Sequence, residues 1–231
     1  MFFDMTYIWM VMIPGLAISG LASWMVHSAF NRYSKVASSR GYTGAQAAAL
    51  LLQRAGIHDV RIVPAHGMLS DHYNPVSKEL ALSQGVYASN SVAAIGIATH
   101  EAGHAIQHAS GYWPLWLRSA LVPVANFGSM FSYIVIMAGL MLGFTGLFLL
   151  GVILFSAVLL FQVVTLPVEF NASSRAKRLV VEAGIILPEE RVGVDRVLNA
   201  AALTYVAAVI TSVLTLLYYL MRSGLLGGRR D

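Results

Sequence analysis

The sequence predicts a mainly α membrane protein, four transmembrane helices with a small α+β domain, and three observations predict it. Of 231 residues, 57% are hydrophobic and 11% charged, with a mean hydropathy of +0.68, whereas about a quarter of the residues in a soluble domain are charged. The charges are also clustered. None falls in the 50 residues between Arg118 and Glu169, the 25 between Arg196 and Arg222, or the 27 between Asp4 and Arg32. Finally, residues 31–118 and 167–199 remain, 88 and 33 residues, and neither piece is long enough to form a comfortable core alone.

A helix rises about 1.5 Å per residue and must cross roughly 30 Å of hydrocarbon, so about 20 apolar residues make one span and the longest gap holds two. The spans are expected at Thr6 to Met25, Ala120 to Leu142, Phe144 to Leu166 and Ala200 to Met221, the middle pair joined by a tight turn around Gly143, Thr145 and Gly146. The organisation follows: an anchor (1–30), a first domain segment (31–118), a transmembrane hairpin (119–166), a second domain segment (167–199), and a last span with its tail (200–231). The N-terminal run carries Asp4 in place of a positive n-region, so it reads as a retained anchor and not as a cleaved signal.

Lys and Arg number seven in 31–118, five in 167–199, three after residue 221 and none before the first span. The more positive side faces the cytoplasm, which places the domain inside and the tail outside. Basic charge here reports topology: no aromatic-interleaved patch accompanies it, so no nucleic-acid partner is expected. Zero cysteines exclude disulfides and thiolate metal sites, leaving His, Asp and Glu as metal donors.

Within the domain, Thr43-Gly44-Ala45-Gln46 has capping-box spacing before the apolar run Ala47 to Leu52, and Gly56 closes that helix. Val60 to Val63, Met68 to Ser70 and Leu80 to Ser83 read as short strands, the last two separated by a stretch containing Asn74-Pro75 and Ser77. A helix capped by Ser89 or Ser91 then runs to a stop at Gly111.

That helix carries His100-Glu101-Ala102-Gly103-His104. Residues four apart share a helical face, so two imidazoles converge on one metal while Glu101 stands beside it to act on water. From this composition about 0.005 chance matches are expected, so coincidence is a weak alternative. Zinc suits the donors, and a catalytic zinc needs a third protein ligand. His108 lies on the same face but about 12 Å along the axis from His100, out of reach. The three-His pattern also fails, because Gln107 and Ser110 stand where it needs Gly and His. Glu169 directly follows the 50-residue uncharged stretch. Two spans separate it from His104, which returns it to the same side of the membrane. It is the expected third ligand, with a small Ala172 at i+3 to permit close helix approach; the alternative is an interfacial carboxylate paired with Arg118 or Arg175. His27, His58 and His66 read as surface residues.

Several motifs together resemble the neutral zinc metallopeptidases of bacterial membranes, the YugP type. They are Gly41-Tyr42-Thr43-Gly44-Ala45, Ser70-Asp71-His72-Tyr73-Asn74-Pro75, Gly85-Val86-Tyr87, the His100–His104 motif with Ala105-Ile106-Gln107, Pro167-Val168-Glu169-Phe170, and the run Leu198 to Val206. The Glu169 segment is more distantly similar to HtpX-type membrane proteases. That resemblance implies a gluzincin-like domain, with two His and one Glu on zinc. It departs from those distant relatives at Ser173, where they carry an Asp that orients a ligating His.

The expected function is therefore a zinc metalloendopeptidase of the bacterial plasma membrane, acting on membrane-associated or misfolded proteins. His100, His104 and Glu169 hold the metal and Glu101 is the general base. Tyr205, in a polar island with Asn199 and Thr204 at the start of the last span, is a candidate catalytic donor to the oxyanion alongside Arg175, His72 and His108; the alternative for Tyr205 is an interfacial aromatic anchor. An intramembrane metalloprotease is the rival enzyme, but only seven consecutive apolar residues, Val92 to Ala98, precede Thr99 and His100, and no Asp occurs in the four spans. A non-enzymatic zinc-dependent scaffold would not need Glu101. Substrate is expected to lie as an extended strand along Met68 to Ser70 or Leu80 to Ser83.

Overall fold

In hydrocarbon a backbone satisfies its polar groups as helix, and each of the four expected spans falls on a helix. The computed structural model describes residues 4–67 and 70–223. In chain order the elements are α1 (Met5–Tyr33, with a π-helical turn at Ile8–Met12), α2 (Gly44–Arg54), β1 (Arg61–Ala65), β2 (His72–Asn74), β3 (Glu79–Ser83), α3 (Gln84–Tyr87), α4 (Val92–Ala109), α5 (Trp113–Met141), α6 (Thr145–Glu182) and α7 (Arg191–Arg222). Helices α1, α5, α6 and α7, the last with the 3-10 turn Pro188–Glu190 before it, are long and apolar enough to cross a membrane.

These helices outrun the expected spans. At 38 residues, α6 is about 57 Å long, nearly twice the hydrocarbon thickness. It continues through Pro167, so Glu169 lies well inside one continuous helix. Gly143, at φ +61°, makes the expected turn between α5 and α6.

The chain divides into two units. The first takes its described residues from Met1–Leu21, Leu117–Leu166 and Thr204–Asp231. Val11, Ile136, Phe148, Val152, Phe155, Tyr218 and Tyr219 form its core. Small residues let its helices touch: a Cβ added to Gly151 would lie 2.6 Å from Ile136 Cγ1, and one on Gly15 2.9 Å from Thr211 Cγ2. Arg222 Nη1 donates to Asp4 Oδ2 at 2.7 Å, so the one described basic group of the C-terminal tail has a carboxylate beside it.

The second unit comprises Ala22–Trp116 and Pro167–Leu203. Leu51, Leu80, Leu82 and Ile95 are almost wholly buried in its core with Ala176, Val180, Ile185 and Leu198, each large side chain contributing about 1.5–3 kcal/mol. Glu190 ties its two sequence segments together, its Oε1 accepting from Ser39 N at 2.7 Å. Helix α2 begins at a Thr43–Gln46 capping box and is followed by Gly56 at φ +71°, both as the sequence predicts.

The sheet has the order β1-β3-β2, with β1 parallel and β2 antiparallel to β3. Pro64 sits in β1, an edge strand, where a missing N–H is tolerated. The expectation that Leu80 to Ser83 offers a free edge is wrong: β3 is the central strand, Leu80 and Ala81 pair on both sides, and Leu80 and Leu82 are buried. Short apolar runs read alike at an edge and in a core. Of the expected strand Met68 to Ser70, Met68 and Leu69 lie outside the described residues, as does the tail from Gly224.

Candidate metal centre

Ser91 caps α4, its side chain accepting from Ala94 N at 3.2 Å. From there the helix is buried along nearly its whole length, an apolar body with few polar side chains. Those few are the site. His100 and His104 stand one turn apart, ring centroids 4.8 Å from each other and nearly perpendicular.

Helix α6 brings Glu169 to them. Val168, Ala172, Ala176 and Val180, four residues apart, are fully buried, which defines the face of α6 turned into this unit's core. Ala172 lets α4 come close: a Cβ on Gly103 would lie 2.9 Å from Ala172 O. Glu169 Oε2 consequently lies 3.2 Å from His100 Nε2 and 3.7 Å from His104 Nε2. Neither Arg118 nor Arg175 takes that role, and Arg175 Nε instead donates to Asn171 Oδ1 at 2.8 Å.

The donor set fits zinc. Bonds of about 2.0–2.1 Å to N and O in a tetrahedron put ligand atoms roughly 3.3 Å apart, close to the distances between the Glu169 oxygen and the two imidazoles. One potential ligand atom from each residue lies within 4.8 Å of the others. Two imidazoles and a carboxylate also leave a fourth position for water or substrate.

Each imidazole is held from behind. Nδ1 of His100 lies 3.1 Å from Ser173 Oγ, a hydroxyl able to accept from the ring when Nε2 is given to a metal. His104 Nδ1 donates to Gln107 Oε1 at 3.0 Å. Gln107 is wholly buried, and its Nε2 donates to Val168 O at 2.9 Å and Asn171 Oδ1 at 3.0 Å. Sequence reasoning missed Gln107 and Asn171. A signal existed: Gln107 is a polar residue one turn past His104, on the same helical face as both histidines.

Burial disfavours the charged imidazole of His104, but its contact with Glu169 and the charge of Glu101 outweigh that and raise its pKa above the ordinary value. Glu101 is itself buried on α4, next in sequence to His100. His108 is turned elsewhere, its Nδ1 2.8 Å from the Tyr73 hydroxyl. His72 bonds Ser70 O at 2.8 Å, and His27, His58 and His66 are exposed. Tyr205 lies on α7 within the first unit, 37% exposed.

Comparison with known proteins adds a family to this geometry. Residues 8–224 match the model of a family described as "Putative neutral zinc metallopeptidase". The chain is also 47% identical over 209 residues to the "Putative membrane protease YugP" of Bacillus subtilis (strain 168), covering 90% of this chain and 93% of that protein. No solved structure matches the chain.

Proposed function

Because the chain belongs to the neutral zinc metallopeptidase family, we propose that it is a membrane-embedded zinc endopeptidase whose catalytic machinery is His100, Glu101, His104 and Glu169. The observation that carries this reading is the approach of Glu169 to both imidazoles, 3.2 and 3.7 Å, from a helix 65 residues beyond His104 in sequence. Burying a carboxylate is costly unless it is paired, and the groups that Glu169 meets are the two imidazoles that would share a metal with it.

His100, His104 and Glu169 would hold the ion, with the Gln107 amide oxygen keeping the His104 proton on Nδ1 and the Ser173 hydroxyl placed beside Nδ1 of His100. Zinc, when bound, supplies Lewis acidity toward a carbonyl oxygen and a lowered pKa for water. Glu101 takes the proton of the attacking water and returns it to the departing amine, the two halves of general acid–base catalysis. Tyr205 stands as the proposed donor to the oxyanion on its sequence context, the Asn199–Thr204–Tyr205 island.

The proposed substrates are membrane-associated or misfolded proteins, cleaved on the cytoplasmic side, as the Lys and Arg distribution favours. Helix α4 is not among the four membrane-length helices, which argues against an intramembrane protease. The testing variant is Glu101→Gln. Purified protein with this change should keep its zinc and lose peptide hydrolysis, and undiminished hydrolysis would remove Glu101 from the mechanism. Comparing membrane-protein fragments between cells carrying the wild-type and Glu101→Gln proteins then identifies substrates.

A further inference from the structure

Beside the metal centre, within the same unit, α6 and α7 border a half-open cavity of about 430 Å³. Its walls include Phe170, Ser173, Lys177, Arg178, Arg191 and Asn199. Ser173 belongs to both places: it lines the cavity, and its Oγ lies 3.1 Å from Nδ1 of His100. The cavity therefore opens next to the residue that holds a ligating imidazole.

Its chemistry is one-sided. Three cationic side chains line it and no carboxylate does. Arg178 is paired with Glu182 at 2.9 Å and Arg191 approaches Asp195 at 3.6 Å, so the carboxylates that answer those charges come from outside the lining. Lys177 differs, for its Nζ donates to the amide oxygen of Asn199. Asp195 is the carboxylate whose charge Lys177 feels and it is shared with Arg191, so three cations meet two carboxylates while the ammonium keeps two further donors. A volume in the range of ligand pockets exceeds what one inorganic ion fills. The Phe170 ring and Ser173 and Ser174 hydroxyls give the remaining wall a mixed character suited to a peptide side chain.

We propose that this cavity is a substrate subsite that receives a carboxylate of the peptide, anchored by Lys177 with Arg178 and Arg191 beside it. The inference rests on the peptidase reading and goes beyond it, because it assigns a charge preference to a position near the scissile bond. The carboxylate has two sources, an acidic side chain or the free C-terminus of a short product-length segment.

The test uses the full-length, zinc-loaded protein in detergent and peptides that differ only by Glu or Gln at each position flanking the cleaved bond, each with a free or an amidated C-terminus. At one position Glu should exceed Gln in kcat/KM by about ten- to a hundredfold, the scale of a charge-assisted hydrogen bond. Lys177→Gln should collapse that ratio toward one and Lys177→Arg should retain part of it, with zinc content unchanged in both. Should Lys177→Gln fold poorly, Arg191→Gln must lower the same ratio. Preference that follows the amidation state and not the Glu/Gln change assigns the subsite to the C-terminal carboxylate.

Binding of the same peptides to Glu101→Gln, read by fluorescence anisotropy, separates the two ideas. If the wild type cleaves nothing, the peptidase reading falls, and the subsite is still judged by tighter binding of the carboxylate-bearing peptides and its loss in a Glu101→Gln/Lys177→Gln double variant. Equal affinity for acidic and neutral peptides overturns the subsite. So does a Lys177 effect confined to binding of phosphatidylglycerol vesicles, which would make the cavity a lipid-headgroup site.

Discussion

Ser173 Oγ lies 3.1 Å from Nδ1 of His100, and the contact joins α6 to the imidazole through a neutral hydroxyl. The bond orients His100 without adding charge. Ser173→Ala should weaken zinc affinity about 10-fold to 100-fold, as loss of a hydrogen bond behind a ligand typically does, whereas Ser173→Asp should match or exceed the wild type. Chelator-competition titrations of purified protein read both; equal affinity in the alanine variant would show that His100 needs no such support.

Glu169 and His108 give opposite expectations although both follow the motif. Glu169→Ala should release zinc at neutral pH, with a loss larger than any variant behind the ligands produces. His108→Ala should retain zinc, because its Nδ1 engages the Tyr73 hydroxyl. Metal content after dialysis distinguishes them, and retention of zinc by Glu169→Ala would require another third ligand.

His104 sets the pH response. Its pKa is raised by Glu169 and Glu101 against the effect of burial, so its contribution to the metal-free protein is fully present below the ordinary imidazole value of about 6.5 and is lost as pH rises through the raised value. Zinc requires the neutral ring and releases its proton. Metal-free protein should thus lose thermal stability as pH rises through that window while zinc affinity increases. Parallel melting curves and zinc titrations from pH 6 to 9 read the two slopes, and zinc affinity independent of pH would remove His104 as a ligand.

Topology is testable through a single introduced thiol in this Cys-free chain. Ser38 is a poor position, being 5% exposed and bonded near Glu190, but Ser77 is exposed in the turn before β3. Ser77→Cys should resist an impermeant maleimide in intact cells and react after permeabilisation. Labelling of intact cells would place the catalytic side outside.

Composition and periodicity made much of the molecule legible. The charge-free runs 5–31, 119–168 and 197–221 demand helix, because hydrocarbon offers backbone groups no other partner. Local signals of one turn or less, the Thr43 capping box, Ser91, Gly56 and the Gly143 turn, appear where the residues predict them, since caps and positive φ depend on neighbours in sequence. The pairing of His100 with His104 is equally local, a consequence of 3.6 residues per turn.

Tertiary structure decided what depends on distant partners. Periodicity cannot tell how far a helix continues past the bilayer, so the run of α6 through Pro167 to Glu182 was not legible. Nor could a five-residue apolar strand reveal whether it pairs on one side or two, and β3 proved central. The approach of Glu169 to the histidines required Gly103 to meet Ala172, a contact between small residues 69 positions apart. The support behind the imidazoles, Ser173 for His100 and Gln107 with Asn171 for His104, emerges only once α4 and α6 lie together. A hydrogen bond between helices is a property of their packing, and residue types alone name its participants without pairing them.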